Sequence, residues 1–265
     1  MNMEDPTELT SVQRHTVQPT IAVIGMEGSG KTVLATTLAK RLSTTDANGV
    51  FLNPQGVQTL QYVEHVWNTL QMGEWPPSTP PGELFELRWK LQIAGELNSD
   101  VRLIDVAGQD LRQLFGKDQI DRVSELPQHL QTLANYCRSA DIVLFLLNLK
   151  DFMGEGRADQ RTANQAALKS AMDHLGSGDR PIRMCLVLTQ SDLYEELAQH
   201  SGGWLELAAI AVPYVFHAHV KTEHVAVYPV AAVSQTRVSW MSRIDRCVSP
   251  SPGSDQKVWT IWWNG

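Results

Sequence analysis

The chain has 265 residues, of which 22 are Lys or Arg and 29 are Asp or Glu, giving a net charge of −7. An acidic balance argues against a sequence-independent grip on nucleic acid, and no apolar run approaches the roughly eighteen residues of a membrane span. The length allows one large α/β domain or one domain with insertions, the 43% apolar content is ordinary for a proper globular core, and three cysteines without metal-ligand spacing suit a reducing cytoplasm rather than a disulfide framework.

Residues 1–18 are polar, carry no secretory signal and read as a flexible leader, or as the end of a linker from something upstream. Thr20-Ile21-Ala22-Val23-Ile24 then reads as a buried strand, and Val33 to Leu42 has the apolar spacing of an amphipathic helix. Between them lies Gly25-Met26-Glu27-Gly28-Ser29-Gly30-Lys31-Thr32, spelled GxxxxGK[ST]. Strand, glycine-rich loop and helix in that order make a phosphate cradle. Its glycines let backbone N–H groups turn inward, the helix start adds its positive dipole end, Lys31 reaches the outer phosphates and Thr32 ligates Mg²⁺.

A polar turn at 43–49 leads to Val50-Phe51-Leu52-Asn53-Pro54, the start of a segment running to about Gly82. Within it Leu60, Val63, Val66, Trp67 and Leu70 have helical spacing. Trp75-Pro76-Pro77-Ser78-Thr79-Pro80-Pro81-Gly82 can be neither helix nor central strand. Glu83 to Leu91 alternates as a half-exposed strand, and Val101 to Val106 is its partner. Gly95 to Asp100 supplies the turn of this antiparallel hairpin.

Asp105 ends its strand, where a carboxylate can hold Mg²⁺ through water. Gly108 completes DxxG, whose N–H can meet a γ-phosphate, and Gln109 is the residue type that orients an attacking water. The bland reading of these residues is a strand-end turn. A polar stretch to Ser124 precedes a helix near Leu126 to Arg138, and Ile142 to Leu147 is apolar on both faces, as a central parallel strand is. A helix over Asp159 to Leu175, a buried strand over Ile182 to Leu188, a helix over Leu193 to Ile210 broken near Gly202 and a strand over Val225 to Val230 follow. The alternation predicts a doubly wound, mostly parallel sheet with one antiparallel hairpin strand.

The phosphate loop together with Asp105-Val106-Ala107-Gly108-Gln109-Asp110 resembles a Ras-like small P-loop GTPase, with motifs closest in flavour to the Arf side. The resemblance covers residues 19–236, with an enlarged first switch region at about 50–82 and an irregular extension at 237–265. It implies GTP or GDP and Mg²⁺ as ligands, held by residues 25–33, Val33 included. It also implies a base box, for which Thr189-Gln190-Ser191-Asp192 is aligned. Asp192 matches the carboxylate that accepts the two guanine donors, whereas Gln190 departs from the family's lysine. The bland alternative is a strand-to-helix turn capped by Asp192. A loose match to the last family loop is Ala231-Ala232-Val233-Ser234. The family's mobile-loop threonine, which completes the metal site, corresponds to Thr79, with Ser78 second; otherwise the proline-rich segment is a plain linker.

The long 51–75 segment is similar to that of bacterial double-GTPase domains, which implies effector or regulator proteins encoded elsewhere. Asn148-Leu149-Lys150-Asp151 carries base-box letters out of register and is rejected. His217, His219 and His224 lack zinc spacing. Trp259, Trp262 and Trp263 pack on the domain or form a partner patch. The expectation is a slow GTP-hydrolysing switch. A nucleotide-dependent scaffold with little turnover is the alternative, and a P-loop ATPase or kinase is the third reading.

Overall fold

The computed structural model describes residues 20–44, 49–93, 97–116, 124–153, 158–178, 180, 182–219 and 225–232. In chain order these form β1 (Ile21–Gly25), α1 (Lys31–Thr44), β2 (Val50–Pro54), α2 (Val57–Gln71), β3 (Leu84–Ile93), β4 (Leu97–Val106), α3 (Gly108–Phe115) and α4 (Gln128–Ser139). Next come β5 (Ile142–Asn148), α5 (Lys150–Met153), α6 (Ala158–Gly176), β6 (Arg183–Thr189), α7 (Glu195–Ser201), α8 (Trp204–Ala211), α9 (Pro213–Ala218) and β7 (Val225–Val230).

The strands form one sheet in the order β2-β3-β4-β1-β5-β6-β7. Neighbours from β4 to β7 pair in parallel, while β3 is antiparallel to both β2 and β4. The doubly wound sheet with one reversed strand is therefore as the sequence predicts. The central strands β1, β5 and β6 are almost wholly apolar because helices cover both faces. On one face α1 and α2 close over Val23, Leu34, Val63, Leu87, Trp89 and Leu103. On the other, α3, α4, α6, α8 and α9 close over Leu114, Leu130, Phe145, Met172, Leu207 and Val215. The carboxyl ends of β1, β4 and β6 consequently open on the same edge of the sheet, where ligands bind in open α/β folds.

Two local readings are corrected. The hairpin turn is tighter than the Gly95–Asp100 reading, since Leu97 to Asp100 belong to β4 with Ile93 opposite Leu97. A ten-residue ladder outweighs the turn preference of Asn98, Ser99 and Asp100. A helix, α3, starts at Gly108 within what reads as a polar stretch, because Leu111, Leu114 and Phe115 share one buried face at helical spacing. The short helices α5 and α9 were not visible in the sequence pattern, being too short to show a period. The leader, Ser234 and the 237–265 extension lie outside the described residues. Among the described residues no helix is long and apolar enough to cross a membrane.

Candidate functional site

The loop between β1 and α1 holds its shape through local bonds. Gly28 and Gly30 adopt φ of 71° and 81°, which glycine tolerates without strain. The Ser29 N–H donates to the Met26 carbonyl at 3.1 Å. Met26 is 7% exposed and belongs to the core, so its contribution to the loop is through its backbone. The buried Lys31 ammonium donates to the carbonyls of Gly25 at 2.8 Å and Met26 at 3.2 Å. Burial holds its pKa below the ordinary lysine value, and the Asp105 and Glu27 carboxylates oppose that shift.

Asp105, 1% exposed at the end of β4, is the meeting point. Its Oδ2 accepts from the Thr32 hydroxyl at 2.7 Å, the Thr79 hydroxyl at 3.1 Å and the Tyr62 hydroxyl at 2.5 Å. Its Oδ1 is buried without a partner. Three elements far apart in sequence thus converge on one carboxylate: α1, the proline-rich loop and α2. Thr79 is the threonine that reaches Asp105, while Ser78 lines the same cavity. Burial, and then the Asp105 charge, push the Tyr62 phenol well above its usual pKa, so it remains a donor.

The start of α3 presses on the loop. A Cβ at Gly108 would run into the Glu27 backbone nitrogen, so no other residue fits while the two segments are in contact. The exposed Glu27 carboxylate pairs with Arg112 at 3.7 Å, one turn further along α3. Asp110, 3% exposed, accepts the Gly82 N–H at 3.1 Å and so ties the end of the proline-rich loop to α3. Gln109 is exposed in the first turn of α3 and is not among the residues lining the cavity.

Two adjoining cavities of about 300 and 190 Å³ form one crevice, with Gly30, Val33, Trp75 and Gln190 lining both. The larger contains Lys31, Thr32, Thr79, Asp105 and Gly108; the smaller contains Thr189, Asp192 and Leu193. The predicted base-box residues therefore lie beside the predicted phosphate residues. The buried Thr189 hydroxyl donates to the Leu147 carbonyl at 3.1 Å. Among the described residues Gln190 is the one non-glycine with positive φ, at 55°. This left-handed kink turns the chain from β6 into the short 3₁₀ turn of Ser191–Leu193 that carries Asp192. Asn148, whose segment fails as a base box, sends its amide to the Gly28 carbonyl at 3.4 Å and accepts the Lys150 N–H at 3.1 Å.

Sequence reasoning missed Tyr62, Trp75, Asp110 and Asn148. Tyr62 stands beside Val63 on the apolar side of α2, where a tyrosine reads as filler. Trp75 had only its place before the prolines as a signal.

A family model described as Double-GTPase 1 matches residues 22–198. No curated protein matches the sequence significantly. Among solved structures, a Sar1-type ADP-ribosylation-factor-like GTP-binding protein from Encephalitozoon cuniculi, in complex with GDP, is 13% identical. It covers 81% of this chain and 69% of its own, with a TM-score of 0.41. The FeoB G-domain of Methanococcus jannaschii is 14% identical, covering 87% and 94%, with a TM-score of 0.37. Bacterial selenocysteine-specific elongation factor EF-Sec is 17% identical with a TM-score of 0.39, and 81% of this chain spans only 25% of that protein. These are distant likenesses.

Proposed function

The chain belongs to the Double-GTPase 1 family, and from that premise we propose that it binds GTP and GDP with Mg²⁺, hydrolyses GTP slowly and acts as a molecular switch toward a protein effector or regulator. The observation that carries this reading is the convergence of the Thr32 and Thr79 hydroxyls on Asp105, in one crevice with Lys31 and Gly108. Two hydroxyls and a carboxylate, one of whose oxygens is buried and still lacks a partner, make a hard, all-oxygen donor set, which fits Mg²⁺. When bound, Mg²⁺ supplies charge that neutralises the β- and γ-phosphate oxygens.

The chain's own groups do the rest. The N–H groups of residues 25–33 cradle the phosphates, and Lys31 exchanges its bonds to Gly25 and Met26 for phosphate oxygens. Thr32 and Thr79 serve as metal ligands, with Asp105 behind them. Gly108, which lines the cavity, offers its N–H to the γ-phosphate. The Gly82–Asp110 bond makes the Thr79 loop and α3 respond together. Gln109, moving with α3, orients the water that attacks the γ-phosphorus in line while GDP leaves. Hydrolysis is slow unaided because Arg112 is already engaged by Glu27 and by the Asn164 side-chain oxygen, leaving a partner protein to supply transition-state charge. Asp192 selects guanine, and Thr189 braces its turn. Ser234 keeps its place as a proposed contact of the last loop.

Competition between fluorescent GDP and unlabelled GTP or ATP tests this. Wild type should prefer guanine nucleotides, and Asp192→Asn should bind them about 30-fold more weakly, as expected for about 2 kcal/mol of lost charged hydrogen bonds. Preference for ATP would reassign the crevice to an ATPase. The exposed position of Gln109 favours the second reading, a nucleotide-dependent scaffold. Steady Mg²⁺-dependent GTP turnover that Gln109→Ala slows would exclude that scaffold.

A further inference from the structure

We propose that Tyr62 is a positioning residue of the metal site, its hydroxyl fixing the Asp105 carboxylate so that retention of Mg²⁺, and with it of nucleotide, depends on that one hydrogen bond. This inference rests on the reading of Thr32, Thr79 and Asp105 as the Mg²⁺ cluster.

Helix α2 is anchored without Tyr62. Val63, Val66 and Leu70 are buried along it. Glu64 pairs with Lys40 on α1, and the Thr59 hydroxyl accepts the Arg88 N–H at 3.1 Å. The phenol does something those contacts do not require. It reaches from residue 62 to the carboxylate of residue 105 and donates to Oδ2, the same oxygen that holds Thr32 and Thr79. The ring is steadied from the side by Phe85, with centroids 5.6 Å apart and planes inclined by 38°.

A carboxylate that holds a cation through water must keep one orientation, and rotation about its last side-chain bond is otherwise soft. Tyr62 adds the third donor to Oδ2 beside Thr32 and Thr79, so Oδ1 is the oxygen left to accept from the metal's hydration shell. Donors in this position are typically worth about 10- to 100-fold in metal affinity. The alternative is that Tyr62 merely fills space against Phe85. Phenylalanine keeps the ring and that contact and removes only the hydroxyl, so it separates the two.

The experiment follows release of fluorescent GDP from the full chain as free Mg²⁺ is varied, for wild type, Tyr62→Phe and Val63→Ala. Val63, 3% exposed on the same helix, reports on loss of packing alone. Tyr62→Phe should raise about tenfold the Mg²⁺ concentration at which release is half-slowed. Val63→Ala should lower the thermal midpoint and leave that concentration at the wild-type value. A Tyr62→Phe midpoint equal to wild type overturns the role of the hydroxyl. An equal shift in Val63→Ala overturns it as well, by tracing the effect to packing. A wild type whose GDP release ignores Mg²⁺ is a different result: it overturns the metal-site reading itself, and this inference with it.

Discussion

The two ends of the crevice are built differently. At the end proposed to hold phosphates Lys31 and Asp105 are buried and hydrogen-bonded, Lys31 at the start of α1 and Asp105 at the end of β4. At the end proposed to hold the base Gln190 and Asp192 are half-buried on a kinked turn, and Trp75, which lines both cavities, is 68% exposed. Interactions with charged phosphate demand a rigid, water-poor frame, because a misplaced charge in a low-dielectric site is costly. Recognition of a flat base needs only an apolar slot and one well-aimed carboxylate. The phosphate end should therefore tolerate substitution badly and the base end much better.

That contrast is open to attack by mutation, starting where the effect should be largest. Lys31→Ala should weaken GTP binding on the order of 100-fold, matching about 3 kcal/mol of charged hydrogen bonds, as read by nucleotide titration. Binding within a few-fold of wild type would mean that the lysine never leaves the Gly25 and Met26 carbonyls. Gly108→Ala should cost about 1–3 kcal/mol in urea unfolding, since its new methyl group meets Glu27 backbone rather than a yielding side chain. The same variant should lose GTP turnover. Wild-type stability in Gly108→Ala would show that α3 stands off the loop in solution.

At the base end, Trp75→Ala should weaken GTP and ATP alike by roughly fivefold, about 1 kcal/mol, because stacking does not discriminate bases. A loss confined to GTP would instead give Trp75 a part in base choice. The smallest effect belongs to Gln190→Gly. Relief of the left-handed backbone at φ 55° outweighs the added freedom of the unfolded chain by about 0.5 kcal/mol. Thermal unfolding should show a small rise, and a fall would reveal side-chain contacts that the kink exists to make.

Where the sequence predicted well, the signal was local. The phosphate loop sits between a strand and a helix as its pattern requires, and the broken helix near Gly202 is divided into α7 and α8 at the left-handed Gly202. Where it failed, competition between local and long-range forces was responsible. Asn98 to Asp100 prefer turns but were drawn into β4 by pairing with β3. The polar residues after Gly108 concealed α3, whose three apolar anchors gain their meaning only by packing on the sheet. Tyr62 was equally hidden, since its role depends on a carboxylate that no local pattern connects to it.

Composition, motif order and apolar periodicity by themselves determined the sheet class and singled out Lys31, Thr32 and Asp105, which line the crevice, while the family resemblance singled out Thr189, Gln190 and Asp192. These are properties of contiguous segments, decided by backbone preference and the spacing of apolar side chains. Tertiary structure alone decided that Asp105 gathers hydroxyls lying 73, 43 and 26 residues away, that Asp110 ties the Thr79 loop to α3, and that Trp75 spans both halves of the crevice. Such contacts follow from how the sheet and its connections fold back on one another, and a buried carboxylate takes whatever donors that arrangement brings within reach.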